Sequence, residues 1–202
     1  MRTRRIAAPA TGVIGNVLVG THSFALDRGS ALHVNVELDL RAGLPGLAIV
    51  GLGGGSARNL RERVQAAVLN SGFAVPRRRV TVNIAPATRS GGSEFDLAVA
   101  CCLLAATGSL DPSRLLRIGL CAELALGGQL RSCAGIGVAG EAAAQAGLVG
   151  LVVAHTDVVS VRQAGAAAVR GARNLREVAS LLAGHPQEPD HALHLDTLAE
   201  LT

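Results

Sequence analysis

The stretch LHVNVELDL, residues 32–40, alternates Leu32, Val34, Val36, Leu38 and Leu40 against His33, Asn35, Glu37 and Asp39. A period of two belongs to a β-strand, whose successive side chains point to opposite faces, so this strand has one face to bury and one to hydrate. Strand signals also lie upstream in VIGNVLV, residues 13–19, and downstream in GLPGLAIVG, residues 43–51, a turn followed by a short apolar strand. After the glycines of GLGGGS, residues 51–56, a helix is expected from about Ala57 to Ser71. Leu60, Val64, Ala67 and Val68 form its apolar face, and Arg58, Arg61, Glu62 and Gln65 its polar one. Ser56 is the expected N-cap and Gly72 the expected stop.

RRVTVNIAP, residues 78–86, reads as a strand ended by Pro86, and SGGSEFDLAVACCLLAATG, residues 90–108, as a polar loop opening a helix over about Glu94–Thr107. That helix is apolar nearly all round and belongs in the interior. RIGLCAELALGGQLRS, residues 117–132, reads as a hairpin turning at Gly127-Gly128. The remainder gives an alanine-rich helix (Ile136–Ala146), a buried strand in GLVGLVVA, a short helix (Asp157–Gly165), an edge strand in AAVRGA and a last helix (Asn174–Ala183). Strands first, then helices mixed with further strands, predict an α+β domain, a mixed sheet with helices packed mainly on one side; a doubly wound fold is the less favoured alternative. The organisation expected is a flexible N-terminus at 1–12, one domain at 13–184, and a polar tail or linker at 185–202.

With 202 residues and 49% hydrophobic content the chain can build one real core, and with three Phe and no Trp or Tyr that core must be aliphatic. The net charge is +4 and all 19 basic residues are Arg. The absence of Lys removes a P-loop, a Schiff base and a Ser-Lys dyad from this chain's repertoire. Cys101, Cys102, Cys121 and Cys133 make no CxxC pair and read as buried reduced thiols. The N-terminal apolar run is broken by Pro9, Thr11, Gly12, Gly15 and Asn16, and no run reaches the ~20 apolar residues of a membrane span. A cytoplasmic protein without a membrane partner is expected.

GIGVAG, residues 135–140, matches a dinucleotide fingerprint to the letter, with Asp157 at about the required distance, but it follows a polar arm and not a strand. GLGGGSAR, residues 51–58, has the better context of a strand before and a helix after, yet a turn needing positive φ explains it equally. No cofactor is therefore expected. Arg77, Arg78 and Arg79 with Arg58, Arg61, Arg63 and Arg89 form a basic face for an anion or a partner; DNA is one such partner, though aromatic stacking platforms are scarce. His155 with Asp157, and His185, His191 and His194, show no metal-ligand spacing, and no metal site is expected.

The ordered motifs GLPGLAIVGL, RERVQAAVLNSGFAVPRRRVTVNIAPA, GSEFDLAVA and the stretch from Ala122-Glu123-Leu124 to Arg131 resemble the N-terminal region of the magnesium chelatase-like AAA+ proteins of the YifB/ComM family, over roughly residues 13–183. The resemblance implies a Lon-protease-like domain of the ribosomal-protein-S5 domain 2-like fold. In that family it precedes a hexameric ATPase, and some members are implicated in DNA branch migration during natural transformation. Walker A, Walker B and arginine-finger motifs are absent here, so ATP and Mg would enter only through a separate or missing ATPase module. The family's GLPD is GLGG in this chain, with Gly53 and Gly54 in place of a Pro and an acidic residue.

In active Lon-type proteases the helix start that matches Ser93 carries the nucleophile, and a Lys near the position of Gly137 serves as its base. With no amine available, Ser93 is a poor nucleophile, and a non-proteolytic domain is implied. Ser93 as N-cap with Asp96 three residues on gives a local capping pattern instead. The leading expectation is a non-catalytic binding or assembly module that works with an AAA+ ATPase subunit or as a homo-oligomer. A DNA-associated accessory using the Arg face comes second, and a residual serine hydrolase at Ser93 third.

Overall fold

A computed structural model of the chain describes residues 16–27, 29–88, 92–163 and 168–184. The first half is a long hairpin of β1 (Val17–Asp27) and β2 (Ser30–Arg41), then β3 (Gly46–Val50), α1 (Gly54–Asn70), β4 (Arg79–Ala85) and α2 (Asp96–Ala106). The second half holds β5 (Ile118–Cys121), a small hairpin of β6 (Glu123–Leu124) and β7 (Leu130–Arg131), α3 (Ala139–Gln145), β8 (Gly150–Ala154), α4 (Val158–Gln163), β9 (Ala168–Ala172) and α5 (Leu175–Leu182). Among the described residues the main sheet has the order β3-β4-β2-β1-β5-β8-β9. Only β2 runs against its neighbours; every other adjacent pair is parallel, so the sheet is mixed as expected.

The period of two works out in β2 as follows. Val34, Val36, Leu38 and Leu40 are buried against α1 and α2, while Asn35 and Glu37 stand on a water-exposed face. Leu32, expected inside, is 53% exposed because it sits beside the hairpin end, beyond the helices. Antiparallel pairs tolerate one wet face, and β1, β2 and β4 use it. The parallel strands have no such freedom: all five residues of β8 are buried. There α3 and α4 cover the second face, packing Ile136, Ala139, Ala143 and Val161 against Phe24, Cys121, Leu151 and Val153. The two long helices and α5 thus lie on one side and two short ones on the other. The alanine-rich α3 carried no sequence signal for which face it would take.

Helix ends follow the expected chemistry at the C-terminal side. Gly72 (φ +82°) and Gly108 (φ +76°) end α1 and α2, with Phe73 N–H on the Val68 carbonyl and Ser109 N–H on the Leu104 carbonyl. These bonds reach across the left-handed glycine and satisfy the last turn. At the start of α1 the cap is Gly53 and not Ser56, which falls inside the first turn. Gly51 is fixed by contact: at φ +94°, a Cβ there would lie 1.9 Å from the Ile84 carbonyl oxygen of β4. Of the stretch read as one hairpin at 117–132, only β6 and β7 pair that way; β5 joins the main sheet, parallel to β1 and β8. Residues 1–12 and 185–202 lie outside the described residues, as do Arg89, His185, His191 and His194. No helix among the described residues is long and apolar enough to cross a membrane.

Candidate partner-binding site

The open edge of β3 is the principal candidate. Gly46 donates its N–H to the carbonyl of Arg78, the residue just before β4. In a parallel ladder alternate residues turn their backbone groups the same way, so Ala48 and Val50 also face β4, and Leu47 and Ile49 present N–H and C=O to the side where no described strand pairs. A groove of about 710 Å³ runs along this edge, lined by Ala42, Gly43, Leu44, Arg61, Gln65 and Arg79 among others. Leu44 is 89% exposed in the turn above it. The groove therefore offers backbone groups unpaired among the described residues, an apolar knob and two arginines, a combination that suits an extended acidic segment added as another strand.

The structure divides the predicted basic residues. Arg61 and Arg79 meet in the groove. Arg58 lies one helical turn before Arg61 on α1, and Arg77 and Arg78 lead into β4. Arg63 is withdrawn from the surface: its Nε donates to Asp96 Oδ2 at 2.7 Å and its Nη2 to Oδ1 at 3.0 Å. Burial is the main force pushing the Asp96 carboxyl up, to about 6, against the opposing pull of Arg63 and of the Leu124 amide. The same pairing raises the Arg63 guanidinium.

Ser93 does not cap α2. It begins a 3-10 turn, Ser93–Phe95, whose own N-cap is Gly92 at φ +86°, and neither helix start shows a side-chain cap bond. The predicted partner Asp96 is the first residue of α2, fully buried, and its carboxylate takes Arg63 and the Leu124 N–H instead. A buried carboxylate needs a cation more than a helix start needs a cap, which is why the local pattern loses. No acid-base partner of Ser93 is shown among the described residues, so the nucleophile expectation gains no geometry.

GIGVAG is not a phosphate loop. Gly135, at φ +81°, caps a short 3-10 turn, Ile136–Val138, that follows β7 through a loop, and the buried Asp157 belongs to another 3-10 turn. The four cysteines are buried and unbridged. Desolvation lifts the Cys101 thiol to about 12, so it holds its proton and stays inert. The open edge of β3 was not evident from sequence, since GLAIV reads equally well as an interior strand.

Comparison with known proteins places the chain among relatives. The family described as subunit ChlI of Mg-chelatase matches residues 36–157. The competence protein ComM of Haemophilus influenzae is 42% identical over 104 residues, 51% of this chain and 20% of that protein. The uncharacterized protein YifB of Escherichia coli is 41% identical over 103 residues, 50% of this chain and 20% of that protein. An uncharacterized protein of Mycobacterium tuberculosis is 36% identical over 152 residues, 75% of this chain and 30% of that protein. The chain thus spans only a fifth to a third of the length of these curated relatives.

Proposed function

Because the chain belongs to the magnesium chelatase ChlI-like family, and within it to the YifB/ComM proteins, we propose that it is a non-proteolytic binding and assembly module for an AAA+ ATPase of the same kind. The observation that carries this reading is the β3 edge, where outward backbone groups of Leu47 and Ile49 lie along a groove holding Arg61 and Arg79. Strand addition supplies affinity through main-chain hydrogen bonds, and the two arginines select acidic side chains on the incoming segment. Catalysis is assigned to the partner: this chain has no Lys, and Ser93 has no base in reach of a described hydrogen bond.

The test is sedimentation of the chain with the ATPase portion of a ComM-type relative, repeated with Leu44→Asp and with Arg61→Glu/Arg79→Glu. A complex that both variants weaken by about tenfold or more is expected, since each tenfold is about 1.4 kcal/mol and removes one anchor of the groove. Absence of a complex, or one indifferent to both variants, refutes the reading. A second reading, a DNA-associated accessory, rests on the same arginines. It is disfavoured because Phe24 and Phe95 are wholly buried and Phe73, the third, is partly buried against the core, which leaves little for bases to stack on. A single-stranded oligonucleotide retained by the chain and released by Arg61→Glu/Arg79→Glu, with no ATPase complex, would decide for DNA.

A further inference from the structure

A second groove, of about 250 Å³, lies toward the β9 end of the sheet, the end opposite β3. Arg114, Ile118, Val149, Leu151, Arg170 and Leu182 are among its lining residues, so it joins the starts of β5, β8 and β9 to the end of α5. Its floor is aliphatic, and Val149 is 52% exposed. Its charged residues are both arginines, and neither Arg114 nor Arg170 makes a salt bridge among the described residues. Asp111, the carboxylate that feels Arg114, accepts the Ser113 N–H at 2.9 Å. An apolar floor flanked by two such guanidinium groups is complementary to a segment that carries leucines and carboxylates together.

The sequence supplies that segment directly beside the groove. A Cβ on Gly184, where the described residues end, would lie 3.9 Å from Arg114 Nη2, so the chain leaves α5 next to this guanidinium. Residues 185–202 carry Glu188, Asp190, Asp196 and Glu200 and no Arg. Within them Leu195, Leu198 and Leu201 are interleaved with Asp196 and Glu200.

We propose that this acidic, leucine-bearing segment docks in the groove of its own chain, with its leucines on Ile118, Val149 and Leu182 and with Asp196 and Glu200 toward Arg114 and Arg170. Residues 185–194 reach up to roughly 35 Å when fully extended, ample for a groove that begins beside Gly184. A tether of this length holds the segment at an effective concentration of order 1 mM, so a contact with an intrinsic Kd of about 0.1 mM keeps about nine-tenths of it docked. The same segment of a second copy competes only when the protein itself approaches that concentration, which makes the chain's own segment the occupant. Docking covers Val149 and gives both arginines a carboxylate. It is independent of the β3 groove, which belongs to the opposite edge strand.

Amide NMR spectra of the full chain test this without removing any residue. In the unmutated chain the heteronuclear NOE should show the amides of residues 195–201 tumbling with the domain. Leu195→Ser/Leu198→Ser/Leu201→Ser should release them and shift the amides of Val149, Leu151 and Arg170. Asp196→Arg/Glu200→Arg and Arg114→Glu/Arg170→Glu should each release them as well, a tenfold loss of intrinsic affinity lowering the docked fraction from about nine-tenths to about one-half. All four charge reversals together should restore docking, a rescue that a folding defect would not give. Freely tumbling amides at 195–201 in the unmutated chain, no rescue by the fourfold variant, or shifts centred on Leu44, Arg61 and Arg79 overturn the proposal. Docking that fades on tenfold dilution shows a contact between copies and overturns the assignment to the chain's own segment.

Discussion

Replacing Arg63 with Met should convert the most protected charge in the domain into its largest defect. The Asp96 side chain is wholly inaccessible and that of Arg63 is 24% exposed, so the pair lies at the boundary of the core. Without the guanidinium, Asp96 keeps only the Leu124 N–H, at 3.2 Å. Removing one partner of a buried pair typically costs about 3–5 kcal/mol at neutral pH, a large share of a domain's stability. The pH dependence carries a defined sign. The Asp96 carboxyl is raised from 3.8 to about 6 in the folded chain, so the folded state holds its proton more tightly than the unfolded one. That contribution is complete below about pH 4 and is lost as pH rises through about 6; at about 1.4 kcal/mol per decade the span amounts to about 3 kcal/mol. In Arg63→Met the carboxyl rises further, so the deficit against the unmutated chain should be greatest near pH 7–8 and shrink toward pH 4. Arg63→Met/Asp96→Leu should recover most of the loss, leaving the Leu124 amide without its acceptor at about 1–3 kcal/mol. Urea unfolding followed by circular dichroism suits a chain with no Trp or Tyr. A deficit below about 1 kcal/mol at pH 7, or one equal at pH 4 and pH 7, would refute the account.

Three further outcomes follow from other parts of the structure. Ser93→Ala should change stability by less than about 0.5 kcal/mol because Ser93 caps nothing, whereas Asn174→Ala should cost about 1 kcal/mol, since Asn174 Oδ1 accepts the Glu177 N–H at 3.0 Å; paired thermal melts decide it. Gly51→Ala should lose about 3 kcal/mol or more or fail to fold, as its Cβ would meet the Ile84 carbonyl at φ +94°, and soluble yield with circular dichroism reads the effect. A thiol-reactive chromophore should leave the native cysteines unlabelled for as long as the fold holds and label all four in denaturant; fast native labelling would show that they are not buried.

What the sequence could show was what one segment determines by itself. The alternation of residues 32–40 identified β2 and its buried face, and Gly72 and Gly108 identified helix ends, because side-chain period and backbone freedom act locally. Asp96 was read as a partner for Ser93 because they are close in sequence, but Arg63, 33 residues away, competes better once both are folded. The role of β5 was equally hidden: Ile118–Cys121 resembles a hairpin arm, and its true partners, β1 and β8, come from distant parts of the chain. For the site, the arginines were legible as residues but their sorting was not. Arg61 and Arg79 reach the groove while Arg63 turns inward, one helical position or two deciding the difference.

The union of β1 with β5 has a consequence for synthesis. Ser23 in β1 donates to the Leu120 carbonyl, a contact 97 residues apart in sequence, and Thr21 reaches the Leu115 and Ile118 carbonyls over a similar span. As the chain leaves the ribosome, β2 can seal one side of β1 almost at once, but the other side has no strand to take until β5 emerges. At about 5–20 residues per second, that edge stays bare for roughly 5–20 s, long enough for chaperones or neighbouring nascent chains to find it. Among the described strands, β1 is the one whose protection depends most on timing, and slow translation between residues 41 and 118 is where misassembly of this domain would begin.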